Sequence, residues 1–339
     1  MRKKYIFLIV GIILVVIATG ITGIITVMNH PFRIEKNTYL YIDADDNTDS
    51  ICHKLTTQLQ ASSLKGFKLL TTVGGLDPIH PGAYRFSQSD NCLTVYRRLK
   101  SGAQTPVNLT LPSVRTVGKL LKTVSHQLMT DSSNLARLLM DSTYCAQIGY
   151  STETLPCLFI PNTYEVYWTM TPEAFVKRMQ KEHDRFWNEE RKAKAQSIGL
   201  TPEEVATLAS IVEEETANNA EKPMVAGLYI NRLHADMPLQ ADPTVKFALQ
   251  DFGLRRILHT HLETDSPYNT YKHTGLPPGP IRIPSIQGIE SVLNYTRHNY
   301  LYMCAKEDFS GTHNFAATFS QHLANARKYQ QELNRRKIK

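Results

Sequence analysis

Residues 5–28, YIFLIVGIILVVIATGITGIITVM, contain 24 positions without a charge. About 20 apolar residues in a helix suffice to cross a bilayer. The run also exceeds the roughly 7–15 apolar residues of a cleavable signal. Arg2, Lys3 and Lys4 precede it, which places the N-terminus in the cytoplasm. The pattern predicts one transmembrane anchor, with cleavage left open by the small residues Ala18, Gly20 and Gly23. No second run is long enough to span, so the rest of the chain is expected outside the membrane.

The chain has 339 residues, 38 basic and 31 acidic. The excess of seven does not signal nucleic acid. Arg2, Lys3 and Lys4 supply three charges, and Arg335, Arg336, Lys337 and Lys339 supply four. The body between is balanced, without the basic footprint of a nucleic-acid binder. The five cysteines are scattered and form no CxxC pair, which disfavours a zinc ribbon or a thioredoxin-type site. Outside the cytoplasm one or two disulfides could form, and the spacing does not pair them.

The pattern predicts an α+β chain. Residues 1–4 read as a cytoplasmic tail, 5–28 as the anchor and 29–112 as a small α+β module. Residues 113–330 read as an α+β catalytic domain and 331–339 as a basic C-terminal tail. In the module, TYLYI alternates like a strand. SICHKLTTQL reads as a helix with Ser50 near its cap, PGAYRF as a strand and CLTVYRRLKSG as a helix ending at Gly102. TPVNLTLP reads as a further strand. Beyond residue 112 the pattern turns helical, including one long helix predicted over 172–197.

The next helix carries the candidate chemistry. Thr201 sits at an N-cap, Pro202 fits the first helical position, and Glu204 falls where a capping box closes. Val205, Leu208, Ala209 and Val212 then mark a stripe packed on a core. ASIVEEETAN ends that stripe with three glutamates. At about 100° per residue, Glu214 points away from the stripe, toward solvent. Glu215 is the most inward carboxylate and Glu213 the second. Desolvation raises the pKa of a partly buried glutamate, as a general acid near neutral pH requires. A frayed, solvated last turn is the plain alternative, and three acids there oppose the helix dipole.

Downstream, NRLHADMPLQADPTV, DSPYNTY and TGLPPGPI read as rigid loops, the usual carriers of sites. Their Asn, Gln, Thr and Tyr side chains suit sugar hydroxyls and acetamido groups. Gln240, Asp242, Asn269 and Tyr271 are the substrate-cleft candidates. Asp242 could instead cap a helix beginning at Pro243. Glu213 either binds substrate or pairs with a nearby base. His313 and Phe315, in GTHNF, either wall the cleft or pack in the core.

Seven segments in order, LFIPNTYEVY, ASIVEEET, AGLYINRL, MPLQADPTV, SPYNTY, GLPPGPI and YLYMCAKEDFSGTHNF, together resemble the YceG-like endolytic murein transglycosylases. The likeness spans about residues 156–322. It implies an inner-membrane anchor, a small LysM-like module containing PGAYRF, and a YceG-like catalytic domain facing peptidoglycan. It also implies cleavage of the β-1,4 bond between N-acetylmuramic acid and N-acetylglucosamine within glycan strands. The product carries a 1,6-anhydromuramic acid end, and the reaction is tied to terminating new strands. The family's catalytic glutamate, directly before Thr, falls on Glu215. No metal and no organic cofactor are expected. Wall-synthesis proteins such as penicillin-binding proteins are implied as partners.

Three positions depart from the family pattern. Asn162 stands in PNTY where many relatives have Asp, Glu214 replaces a usual Lys, and LTLPSVRTV lacks a Pro-Glu-Gly joint. Three rival readings remain at this stage. A hydrolytic muramidase would add Asp242 or Asp265 as second carboxylate. A zinc hydrolase would use His259 and His261 with Glu263 or His273. A non-catalytic wall-binding scaffold would not need Glu215.

Overall fold

The computed structural model describes every residue except Met1, His30, Arg33, Glu35, Ser62, Ser63, Arg255 and residues 337–339, and it leaves out the side chains of Arg2 and Lys3. The chain divides into two compact units. One holds residues 1–109 and 165–170, the other 110–164 and 171–339.

The first unit opens with α1 (Arg2–Met28). Among the described residues one helix, Lys4–Met28, is long and apolar enough to cross a membrane. Its side chains are exposed, Phe7 and Val16 among them. The helix begins at Arg2, so residues 2–4 form its first turn. Then follow β1 (Thr38–Ile42), α2 (Thr48–Thr57), α3 (Lys65–Gly74), β2 (Gly82–Phe86), α4 (Cys92–Ser101) and β3 (Val107–Thr110). β1 and β2 pair antiparallel, with Thr38 opposite Phe86 and Ile42 opposite Gly82. Leu40, Ile42, Ile51, Leu55, Phe67, Tyr84, Phe86 and Val95 form its core. Asn47, rather than Ser50, caps α2. Ser50 closes the box from the third helical position, where its hydroxyl takes the Asn47 N–H. Residues 165–170 return to this unit because Trp168 packs on Tyr41, with ring centres 5.0 Å apart, and Thr169 bonds Gln104.

The second unit is mostly helical. It contains α5 (Val117–Ser125), α6 (Ser132–Leu139), α7 (Ser142–Gln147), a 3-10 turn (Leu155–Leu158) and the start of β4 (Thr163–Val166). Next come α8 (Pro172–Phe186), α9 (Glu189–Ile198), α10 (Pro202–Glu215), α11 (Lys222–His234), α12 (Asp242–Leu249), α13 (His259–Leu262) and α14 (Ile286–Leu293). The antiparallel pair β5 (Tyr302–Ala305) and β6 (His313–Ala316) precedes α15 (Phe319–Arg335).

The single helix predicted over 172–197 is two. Trp187 leaves helical geometry to bury its indole in the core, and Asn188 restarts the chain by accepting the Arg191 N–H. α15 runs to Arg335, so residues 331–335 are helical, and 337–339 lie outside the described residues. All five cysteines are unpaired, and four are buried.

α10 is the centre of this unit. Its capping box forms, with Thr201 and Glu204 exchanging bonds of 2.8 and 3.2 Å. The expected one-sided stripe is corrected here, because every residue from Val205 to Val212 is buried. α9, α11, α12 and α14 all pack on this helix. The polar residues on its far face are satisfied inside. Thr207 donates to the Glu203 carbonyl and Ser210 to the Thr207 carbonyl, and Ser210 accepts the Ile281 N–H.

Gly227 lets α11 approach the segment before β5. A Cβ there would collide with the Thr296 carbonyl oxygen and lie 2.8 Å from His298 Nε2. Alanine is the better helix former by about 1 kcal/mol, but overpacking against backbone costs about 1–3 kcal/mol. Gly227→Ala should therefore lower the melting temperature; an unchanged or raised value would show that the segment yields freely.

Candidate functional site

The C-terminal end of α10 opens on a cavity of about 230 Å³. Glu215, Tyr229, Arg232, Gln240, Asp242, Tyr271, Cys304 and His313 are among its lining residues. Glu215 stands where a core helix runs out, so protein crowds its carboxyl while one edge reaches the cavity. Tyr229, on the buried face of α11, donates its hydroxyl to Glu215 Oε1 at 2.8 Å. Oε2 has no protein partner among the described residues, which leaves it for a ligand.

Burial pushes the Glu215 carboxyl up to about 7. The Tyr229 bond and the nearby His313 and Lys246 favour the charged form and oppose this rise, whereas the Asp242 charge adds to it. Burial and the Glu215 charge in turn raise the Tyr229 phenol, which stays a donor. With Oε1 taken by a donor, the carboxyl proton of the acid form resides on Oε2. The arrangement is a neutral acid that presents its proton to the cavity near neutral pH.

The opposite wall is set where residues 240–244, entering α12, are zipped to the loop that carries Thr270. Thr244 and Thr270 hydroxyls meet at 2.8 Å, the Ala241 N–H donates to Thr270, and the Gln240 N–H donates to the Thr270 carbonyl. Gln240 is exposed at the cavity with a φ of 50°, a left-handed geometry that costs a non-glycine residue energy. Arg232 fixes the same wall from α11 by bonding the Leu239 and Leu301 carbonyls. Asp242 does not cap α12. It is the helix's first residue, and it accepts the Tyr271 hydroxyl at 2.6 Å. Burial, then that bond, raise the Tyr271 phenol.

The structure thus brings together Glu215, Gln240, Asp242, Tyr271 and His313 from the sequence candidates. Two candidates are corrected. Asn269 is wholly buried and spends its amide on the Leu262 and Thr264 carbonyls and the Tyr271 N–H, so it shapes the loop that carries Tyr271. Glu213 does not line the cavity. It accepts the Ser285 N–H at 2.9 Å and lies 3.7 Å from both Lys222 and Arg282.

Glu214 is also corrected from solvent residue to ion-pair partner. Its side chain is 12% exposed, with Arg115 at 2.7 Å and Arg282 at 2.9 Å. Helix geometry alone sent it outward, but residues 113–116 and Arg282 cover that face. Glu213 and Glu214 are therefore neutralised by cations from elsewhere in the unit. Phe315 packs with Tyr300 and His298 against the core.

Asp265 is 96% exposed beside Lys272 and does not line the cavity. His261 Nδ1 takes the Leu258 N–H, and among the described residues no three His, Cys, Asp or Glu side chains form a metal-ligand group. Sequence reasoning missed Tyr229, Arg232, Glu221 and Arg282. Tyr229 had a signal, a polar tip on the apolar face of AGLYINRL, whereas the other three are defined by contacts distant in sequence.

The YceG-like family model matches residues 40–328. The chain belongs to the YceG-like family. An endolytic murein transglycosylase of Streptococcus pneumoniae strain D39 is 28% identical over 323 residues, covering 85% of this chain and 58% of its own. One from Bacillus subtilis strain 168 is 37% identical over 157 residues, covering 46% of this chain and 42% of its own. The chain thus spans about half the length of these curated relatives. The crystal structure of a yceG-like protein from Listeria monocytogenes matches with a TM-score of 0.58 at 24% identity, covering 86% of this chain and 99% of that one. That likeness concerns the fold alone.

The Tyr229 bond favours ionised Glu215, so Tyr229→Phe should raise the carboxyl above about 7. If Glu215 is the general acid, its protonated form is the one that donates, so kcat/KM should fall as pH rises through the Glu215 pKa. In Tyr229→Phe that fall should move to higher pH. A pH–rate profile with an unmoved or lowered midpoint would contradict the assignment.

Proposed function

We propose that this chain is an endolytic murein transglycosylase, anchored by α1 with its catalytic unit outside the cytoplasmic membrane. The observation that carries the reading is a single buried carboxyl, Glu215, held near 7 with one oxygen free in a polar cavity. The names of the pneumococcal and Bacillus relatives support it.

The substrate is the β-1,4 bond between N-acetylmuramic acid and N-acetylglucosamine inside a glycan strand. Protonated Glu215 donates from Oε2 to the glycosidic oxygen. The bond from C1 to that oxygen breaks, and the N-acetylglucosamine side leaves with a 4-hydroxyl. The muramoyl 6-hydroxyl oxygen closes on C1, and its proton returns to Glu215. No water is consumed and the acid is regenerated. An intramolecular nucleophile replaces captured water and gains effective concentration. Gln240, Asp242 and Tyr271 contribute polar groups for sugar hydroxyls and acetamido groups.

The β-α-α-β order of the first unit, with β1 and β2 antiparallel, supports a LysM-like, glycan-binding role for it. Termination of nascent strands, in company with penicillin-binding proteins, is the process this reading places the enzyme in. A second reading rests on Asp242, which lines the same cavity and would make a hydrolytic muramidase with Glu215.

The full chain in detergent, incubated with purified peptidoglycan, should release fragments with anhydromuramic ends, read by mass spectrometry. Reducing muramic ends would favour the muramidase. No cleavage by folded, wall-binding protein would favour a scaffold.

A further inference from the structure

Glu221 is a carboxylate the mechanism above does not use. It lies between α10 and α11 and is 8% exposed. Three donors surround it. Oε1 accepts the His313 backbone N–H at 2.6 Å, and Oε2 accepts His313 Nδ1 at 2.9 Å and the Thr216 hydroxyl at 3.0 Å. Thr216 directly follows Glu215, and His313 begins β6 and lines the cavity. One buried side chain therefore ties the end of the helix that carries Glu215 to the strand on the cavity's far side.

We propose that Glu221 is a positioning residue that holds His313 with its proton on Nδ1 and turns Nε2 into the cavity to contact a sugar hydroxyl at the reacting bond. The chemistry of the contact fixes the proton. A carboxylate only accepts, so the ring nitrogen 2.9 Å away must donate. Nε2 has no protein partner among the described residues. The backbone bond to the same carboxylate fixes the strand as well as the ring, so the imidazole has little freedom to turn. The Thr216 bond transmits the same constraint to Glu215. The distance between the acid and the imidazole is thus set through Glu221, and it is held on two separate elements. This inference rests on the transglycosylase reading for its substrate, but the orientation of the ring does not depend on it.

The test uses the full chain in detergent, as wild type, Glu221→Ala, Glu221→Gln, His313→Ala and the double variant Glu221→Ala/His313→Ala. Proton NMR with selectively labelled histidine should show a downfield, exchange-protected Nδ1 proton for His313, lost in Glu221→Ala. Glu221→Ala and His313→Ala should each lower kcat on the order of 10²-fold with a much smaller change in KM. The double variant should lose no more than the worse single one, because both act through one ring. Glu221→Gln keeps an acceptor for Nδ1 and should recover part of the loss. Losses that multiply in the double variant, or a wild-type ring protonated on Nε2 alone, would overturn the proposal. Full wild-type cleavage in every variant would do so as well. The NMR signature needs no turnover, so a wild type that cleaves nothing while keeping the Nδ1 proton would sink the transglycosylase reading, and with it the sugar contact, but leave the ring's orientation standing. Circular dichroism of each variant separates loss of positioning from loss of fold.

Discussion

Glu215→Gln should lower the rate of glycan cleavage on the order of 10³-fold or more while peptidoglycan binding persists. Glutamine keeps the shape and an acceptor for the Tyr229 hydroxyl, but it cannot release a proton to the glycosidic oxygen. General acid–base groups typically contribute 10²–10⁴-fold. In the proposed cycle Glu215 serves both as acid and as base, so the upper part of that range is expected. Turnover should be followed by the appearance of new glycan ends, and binding by co-sedimentation with insoluble wall. A variant that cleaves within tenfold of wild type would remove Glu215 from the chemistry. If wild type and variant both bind and neither cleaves, the chain is a scaffold rather than an enzyme.

The largest expected effect on stability lies beside the site. Arg282 donates to Glu214, to the Ser113 hydroxyl and to the Ser113 carbonyl, and lies 3.7 Å from Glu213. The side chains of Arg282, Glu213 and Glu214 are all less than one fifth exposed. Arg282→Ala would leave Glu214 to Arg115 alone among the described cations, and Glu213 to the Ser285 N–H and to Lys222 at 3.7 Å. Breaking such a network by removing one partner costs about 3–5 kcal/mol. A unit of this size loses about 2–4 °C per kcal/mol, so the melting temperature should fall by roughly 10 °C. Arg282→Lys keeps the charge but not the forked geometry and should recover only part. A fall of under about 2 °C would mean that the two glutamates are well solvated.

Much of the fold and of the site was legible in the sequence because it is local. The apolar run of 5–28, the Thr201–Pro202–Glu204 start of α10 and the inward rank of Glu215 follow from periodicity and capping alone. Gln240, Asp242 and Tyr271 were legible as polar residues on Pro- and Gly-rich loops. The failures share a cause in contacts between distant parts of the chain. Helix geometry puts Glu214 opposite the core stripe, but a second layer formed by residues 113–116 and Arg282 covers that side. Asn269 carries a sugar-binding residue type, yet its loop uses both of its amide N–H donors and its amide oxygen. The break at Trp187 arises because the indole is drawn into the core, a demand that helix propensity does not register. Glu221 lies in a polar turn and meets His313 only when β6 arrives, some ninety residues later.

The central claim is that one carboxyl group cleaves the strand without water. Cleavage in water enriched in oxygen-18, with the new muramoyl ends weighed by mass spectrometry, tests it most directly. The account predicts anhydro ends with no label, because the oxygen that closes on C1 is the sugar's own 6-hydroxyl. Labelled reducing ends would contradict it, and Asp242 would then be the first residue to test as the second carboxylate of a hydrolase.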